Sequence, residues 1–382
     1  MSQPAILYLA CLLMDMSVAG VTFAISRRAA ELGAGASALG WLGAVWIGAY
    51  ALLALVTGRF SDRIGRRKLA ITGCIIAATM SLACSLTTRV GLLLAFSAVF
   101  GCGLACFWPS IIAWLGEGLT GHALAARLTV FGVAWNIGLL SGYAMSGVLY
   151  RHGPRLAFYV STSAIALIIL LLSLPSKPLA SPLEPASTEP MPHIPKGRGF
   201  RKTAWLANFA SNFALAGAAA LFPQLATHLG ISAAVHGGLL AAGRGAALLA
   251  FIALQLVVFW RTRLWPLWVA QLACAASLVW IGLANATWMF AMAWIIGGVA
   301  SGYAYQASIF FTLEEMTETG KGSGFHEAIV GSGMFFGPML AGWVGSHHSL
   351  RAPYFFCATV QAALVALQML LVWRRRRLTA IV

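Results

Sequence analysis

Long apolar runs separated by short polar segments make up almost the whole chain. A helix needs about 20 mainly apolar residues to cross a bilayer's hydrocarbon core. Runs of that kind fall near residues 5–26, 38–58, 69–87, 90–116, 124–149 and 156–174, then near 203–226, 236–260, 265–284, 287–312, 325–345 and 352–373. The pattern predicts an all-α membrane protein with twelve transmembrane helices in two pseudo-symmetric six-helix bundles, residues 1–174 and 203–382. Between them, 175–202 is rich in Pro and Ser with no apolar period, and reads as a cytoplasmic linker.

The two sets of runs resemble each other at a spacing of 195 residues. Gly138, Gly142 and Gly147 fall on Gly333, Gly337 and Gly342, and the basic loop at Arg63 to Lys68 falls close to Arg261 and Arg263. The common offset argues for a duplicated six-helix unit.

Composition sharpens the class. The chain is 60% hydrophobic and 9% charged, where a soluble domain carries roughly 25% charged residues. An ordinary soluble enzyme is excluded, and the lipid bilayer is the main solvent. The net charge of +15, from 25 Lys and Arg against 10 Asp and Glu, admits nucleic acid as a partner, but in a membrane chain it is what cytoplasmic loops carry. With both termini inside, 18 basic residues fall on cytoplasmic segments and six outside, while Arg244 stays within a helix. This reads as an inner-membrane protein with cytoplasmic termini and no nucleic-acid partner. The first run lacks the basic start of a signal peptide and carries Asp15, so it is expected to remain as the first span. Seven scattered cysteines form neither a disulfide framework nor a metal pattern.

The second run ends in GRFSDRIGRRKL, residues 58–69. Gly58 and Gly65 suit tight backbone, Asp62 can cap a helix or meet a cation, and Arg63, Arg66 and Arg67 sit at the inner membrane face. In letters and location this resembles the signature loop of the major facilitator superfamily, which joins the second and third helices of those transporters. The resemblance implies twelve helices, alternating access, a monomer, and a conformational latch in which Asp62 and Arg66 engage the start of helix 11 and Glu117. The second half keeps Arg261 and Arg263 without the Asp or the glycine pair. The segment AWNIGLLSGYAMSG is similar to that family's glycine-rich antiporter motif, but its Gly-Pro pair is Gly142 and Tyr143 here, while Gly337 and Pro338 supply one in helix 11.

Charge inside a spanning helix is expensive and marks function by default. Asp15, mid-helix, is the candidate for proton coupling; Arg244 is a candidate counter-ion or a fixed charge for an anionic substrate. Asn208 and Asn212 on helix 7, Tyr303 and Gln306 on helix 10, and Trp108, Trp135 and Asn136 on helices 4 and 5 are substrate-binding candidates. Interhelical hydrogen bonds and interfacial anchoring are the structural readings of the same residues. Glu327 beside His326 opens the eleventh run and reads as part of a gate, or as an acid on a helix dipole.

No phosphate-binding loop, metal-ligand spacing or hydrolase elbow is present in the sequence, so the expectation is a carrier with no cofactor, no metal and no enzymatic activity. The reading is a secondary transporter of a small molecule, proton-coupled, with export of an amphipathic solute ahead of uptake of an organic anion. A transporter-like sensor that carries no solute is the rival from another class.

Overall fold

Among the described residues, twelve long α-helices form where the apolar runs lie, and their ends are set by Pro, Gly and charge. The computed structural model describes the backbone of residues 2–117, 119, 121–175, 200–257, 259–315 and 319–379, with side chains except at 58–62, 121–126, 313–315, 319–323 and 375–379. The linker expected at 175–202 lies mostly outside the described residues. The helices are α1 (Gln3–Glu31), α2 (Ala36–Ile64), α3 (Arg66–Leu86), α4 (Val90–Leu115), α5 (Gly121–His152) and α6 (Leu156–Ser173), followed by α7 (Phe200–His228), α8 (Ala233–Leu256), α9 (Trp265–Leu283), α10 (Thr287–Glu315), α11 (Thr319–His347) and α12 (Ala352–Thr379).

Among the described residues, eleven of these are long and apolar enough to cross a membrane. The exception is α10, where Trp288, Trp294, Gly297, Gly298, Tyr303 and Tyr305 dilute the aliphatic content. The eighth apolar run, expected to reach residue 260, ends as helix at Leu256, and a short 3-10 helix, Phe259–Thr262, follows. Trp260 in that turn is buried and its indole N–H donates to the Leu254 carbonyl at 2.9 Å. Helix α11 begins at Thr319, six residues before its apolar run, so Glu327 lies two turns into the helix. A dipole effect confined to the first turn does not explain that carboxyl.

Pro4 starts α1, where a missing N–H is tolerated. At its other end Gly33 takes φ +80°, its N–H donates to the Ala30 carbonyl at 3.0 Å and that of Ala34 to Ala29 at 2.9 Å, which closes the helix as a Schellman turn. Gly230 after α7 has φ +69°. Between α2 and α3, Gly65 has φ +100°, a conformation that strains any side chain.

By backbone contact the chain divides into two units. The first comprises Met1–Ala34, Val45–His193 and Gly230–Ala241; the second comprises Gly35–Ala44, Ile194–Leu229 and Ala242–Val382. In the first, α1 packs on α5 and α6, and α3 on α4 and α6; in the second, α7 packs on α10, α11 and α12, and α9 on α10 and α12.

The two units repeat each other at their closest helix contacts. A Cβ on Gly138 would meet the Leu12 carbonyl, the Asp15 Cβ and the Met16 amide at 2.5, 2.9 and 3.1 Å; one on Gly333 would meet the Phe209 carbonyl, the Asn212 Cβ and the Phe213 amide at 2.8, 2.9 and 3.0 Å. Gly142 lies on the Met16 carbonyl as Gly337 lies on that of Phe213. Gly147 abuts Ala233 and Gly237 in the first unit, as Gly342 abuts Ala36 and Gly40 in the second. Gly101 lies on the Trp46 carbonyl as Gly298 lies on that of Gly243. The equivalence is a shift of 197 residues from α1, α2 and α4 to α7, α8 and α10, and of 195 from α5 to α11.

Helices in lipid associate through such close backbone approach, since burying apolar side chains gains little there. Gly138→Val and Gly333→Val are each expected to destabilise the protein by about 1–3 kcal/mol through overpacking. Gly132→Ala and Gly331→Ala, which face open space, should be neutral or stabilising by up to about 1 kcal/mol. Thermal unfolding in detergent, followed by tryptophan fluorescence, checks the order; equal losses at all four positions would contradict it.

Candidate functional site

The carboxyl of Asp15 is 2% exposed at the middle of α1, held against α5 at Gly138. One turn away is Cys11, fully buried, and Ser17 donates to the Leu13 carbonyl at 2.7 Å and the Ser161 carbonyl at 3.2 Å. Its counterpart in the second unit is Asn212, whose amide donates to the main-chain carbonyl and to Oδ1 of Asn208, both at 2.9 Å. Asn208 is completely buried, and its own Nδ2 makes no hydrogen bond among the described residues. The small side of each glycine contact thus faces a polar residue on the partner helix.

At the signature loop, Arg66 Nη1 lies 3.3 Å from Glu117 Oε2 and donates to the Ala113 carbonyl at 2.9 Å. Arg67 donates to the Ser173 carbonyl at the end of α6, and Arg63 is exposed. Of Gly58 and Asp62 only the backbone is described.

A charged cluster that the sequence analysis did not single out lies at the C-terminal end of α1. Arg27 Nε sits 2.8 Å from Glu31 Oε1, and Arg27 Nη1 donates to the Ile231 carbonyl at 3.0 Å. Tyr150 donates to Glu31 Oε2 at 2.7 Å, and Arg28 to the Ser85 carbonyl at 3.2 Å. A cavity of about 410 Å³ opens beside it, lined by Arg28, Glu31, Tyr150 and Arg155 among others. The i, i+4 spacing of Arg27 and Glu31 was the available signal; Tyr150 is too distant in sequence to have been paired with them.

In the second unit, α7, α10 and α11 share a polar thread. Trp205 donates to Thr312 Oγ1 at 2.8 Å, Thr312 to the Ser308 carbonyl at 2.6 Å, and Ser308 Oγ meets His326 Nδ1 at 2.9 Å. Tyr305 donates to Glu327 Oε1 at 3.4 Å.

The remaining candidates are dispersed. Tyr303 is packed in an apolar cluster with Trp260, Ala304, Ala307 and Phe311, and its hydroxyl makes no hydrogen bond among the described residues. Gln306 is buried, with Oε1 likewise unpaired. Asn136 donates to Gly132 in its own helix at 2.9 Å. Trp108 meets Phe131 edge-on at 5.8 Å, and Trp135 is half-buried on α5. Arg244 is half-buried on α8 and makes no hydrogen bond or ion pair among the described residues. On α12, Gln361 is fully buried with both amide atoms unpaired among the described residues, another position that sequence reasoning missed.

This architecture has known counterparts. A bacterial homologue of the human lysosomal transporter Spinster superposes with a TM-score of 0.74 at 16% identity, over 97% of this chain and 94% of that one. At such identity the likeness speaks for the fold. The family model described as Major Facilitator Superfamily matches residues 6–325. The chain belongs to the Major Facilitator Superfamily. It is accordingly a multi-pass membrane protein of that family. Among its superfamily relatives, an uncharacterized MFS-type transporter of Mycobacterium tuberculosis is 30% identical over 44% of this chain and 29% of its own length. The multidrug resistance protein MdtL of Salmonella schwarzengrund is 28% identical over 42% of this chain and 40% of its own. The chain thus matches well under half the length of these two curated relatives.

The two ion pairs differ in burial, and their stability contributions should differ with it. Arg27 keeps 9% of its side chain exposed and Glu31 37%, while Arg66 and Glu117 keep 28% and 62%. Glu31→Ala is expected to destabilise by about 2 kcal/mol, short of a fully enclosed pair because Glu31 still reaches solvent. Glu117→Ala should change stability by less than about 1 kcal/mol. Denaturation midpoints in detergent compare them, and an equal effect would contradict the assignment.

Proposed function

We propose that this superfamily member carries a small molecule across the membrane by alternating access, coupled to protons, with export of an amphipathic solute as its direction. The observation that carries this reading is the carboxyl of Asp15, 2% exposed inside a membrane-spanning helix. Such a charge is costly to keep unless it binds and releases something, and a proton is the ligand that a single enclosed carboxyl can take and return. The Salmonella relative's name, a multidrug resistance protein, supports export. The excess of basic residues on the loops assigned to the inside supports cytoplasmic termini in the inner membrane.

Two six-helix bundles, residues 1–174 and 203–382, are the units that rock, and the protein works as a monomer. Contacts made by backbone against backbone, such as Gly147 on Gly237, carry no interlocked side chains and can part and re-form at low cost. Arg66 with Glu117 belongs to the latch at the signature loop. Asn208, Asn212, Gln306, Trp108, Trp135 and Asn136 supply substrate-orienting groups. A second reading, uptake of an organic anion, is favoured by Arg244, a membrane-helix cation with no described counter-ion.

Proteoliposomes holding a pH gradient and an internal pH dye separate these readings. Ethidium, a lipophilic cation, is expected to evoke proton flux that falls to the empty-liposome rate in Asp15→Asn and persists in Arg244→Ala. Flux evoked by benzoate and lost in Arg244→Ala would favour the anion reading. Movement of neither probe in any vesicle, with the protein folded, would leave a protein that does not transport these classes and sink the proposal.

A further inference from the structure

The duplicated packing shows where the second unit departs from the first in chemistry rather than in shape. In the first unit, Trp108 of α4 meets Phe131 of α5 edge-on, with centroids 5.8 Å apart at 78°. The next residue, Gly132, faces open space. The equivalent positions in the second unit are Tyr305, His326 and Glu327, and Tyr305 meets His326 edge-on at 4.7 Å and 80°. The helix crossing therefore needs two rings and nothing more, and an apolar pair satisfies it. In the second unit both rings and the following residue are ionisable.

The imidazole there is not idle packing. His326 is completely buried, its Nδ1 lies 2.9 Å from Ser308 Oγ, and Ser308 stands where the first unit has Ile111. Its Nε2 makes no hydrogen bond among the described residues and lies 3.9 Å from Glu327 Oε1. Leaving a buried nitrogen unsatisfied is costly, a penalty that a phenyl ring in the same place avoids. Glu327, by contrast, keeps 64% of its side chain exposed while accepting from Tyr305. One member of the pair is accessible and the other is sealed behind it.

We infer that His326 and Glu327 form a proton-binding site in the second bundle, positioned by Ser308 and Tyr305 and additional to Asp15 in the first. Protons arrive at the Glu327 carboxylate, 3.9 Å from the imidazole Nε2. Ser308 fixes the imidazole ring, and Tyr305 fixes the carboxylate. Among the described residues, Tyr305 on α10 is a titratable side chain that touches both members of the pair. Arg201 lies 4.9 Å over Trp205, which packs on Phe325 at 4.4 Å. Helix α12 and residues 35–44 bring no titratable side chain to the pair among the described residues.

The inference rests on the transport reading for its purpose but not for its test. Dicyclohexylcarbodiimide adds to protonated carboxyls, and mass spectrometry locates the adduct on the full chain in lipid nanodiscs. Glu327 is expected to be modified, less so as pH rises, and His326→Phe, which copies the ring of the first unit and should fold, is expected to move the pH midpoint. Absence of the Glu327 adduct at every pH, or an unchanged midpoint in His326→Phe, would overturn the site. In proteoliposomes, Glu327→Gln is expected to retain ethidium exchange and lose accumulation driven by a pH gradient. Accumulation equal to wild type would overturn the site and leave transport standing. A wild type that moves no ethidium but shows the shifted labelling would uphold the site and count against the transport reading.

Discussion

The arrangement of this chain depends on helices lying backbone to backbone. In lipid every backbone N–H and C=O is satisfied within its own helix, and apolar side chains gain little by leaving one hydrocarbon environment for another. What remains is contact, and contact is closest where a side chain is missing. Gly142 rests on the Met16 carbonyl, and Gly337 on the Phe213 carbonyl. These approaches fix α5 on α1 and α11 on α7, and the polar residues beside them are enclosed as a consequence. Asp15 is buried because Gly138 lets α5 close over it.

The same framework is used twice, so the differences between the copies carry information about chemistry. The position of Asp15 is held by Asn212 in the second copy, where the amide is consumed by Asn208 and no charge is present. The Trp108 and Phe131 pair becomes Tyr305 and His326. At each of these two places one copy holds a buried ionisable group that its counterpart lacks. The charged cluster of Arg27, Glu31 and Tyr150 also has no counterpart: the positions equivalent to Arg27 and Glu31 hold Gln224 and His228.

Most of the fold was legible in the sequence because hydropathy over 20 residues is a strong local signal. The runs at 90–116 and 265–284 match α4 and α9 to within a residue or so. The end of α8 was not legible, since Trp260 extends the apolar run while its indole folds back on Leu254 in a 3-10 turn. The start of α11 was hidden by polar and small residues that form helix without being apolar. The glycine triplet of α5 and α11 showed the duplication. The matching shift of 197 in the other helices emerged only from which backbone each glycine touches.

The site was less legible, for a physical reason. Polarity within an apolar run is visible, so Asp15, Arg244 and Glu327 stand out in the sequence. Partnership across 18 or 119 residues is not, and Ser308 with His326 and Tyr150 with Glu31 became evident only when the helices were packed. Tyr303 looked like a cavity residue and lies in the apolar cluster around Trp260, because a helical face shared with Gln306 does not say which neighbour it meets.

Alternating access requires the backbone contact of Gly147 with Ala233 and Gly237 to part during the cycle. Spin labels on the exposed Val148 of α5 and Val235 of α8 report that separation directly by electron double resonance in nanodiscs. Two distance populations are predicted, with weights that change with pH and with added ethidium. A single distribution that responds to neither would contradict carriage by alternating access.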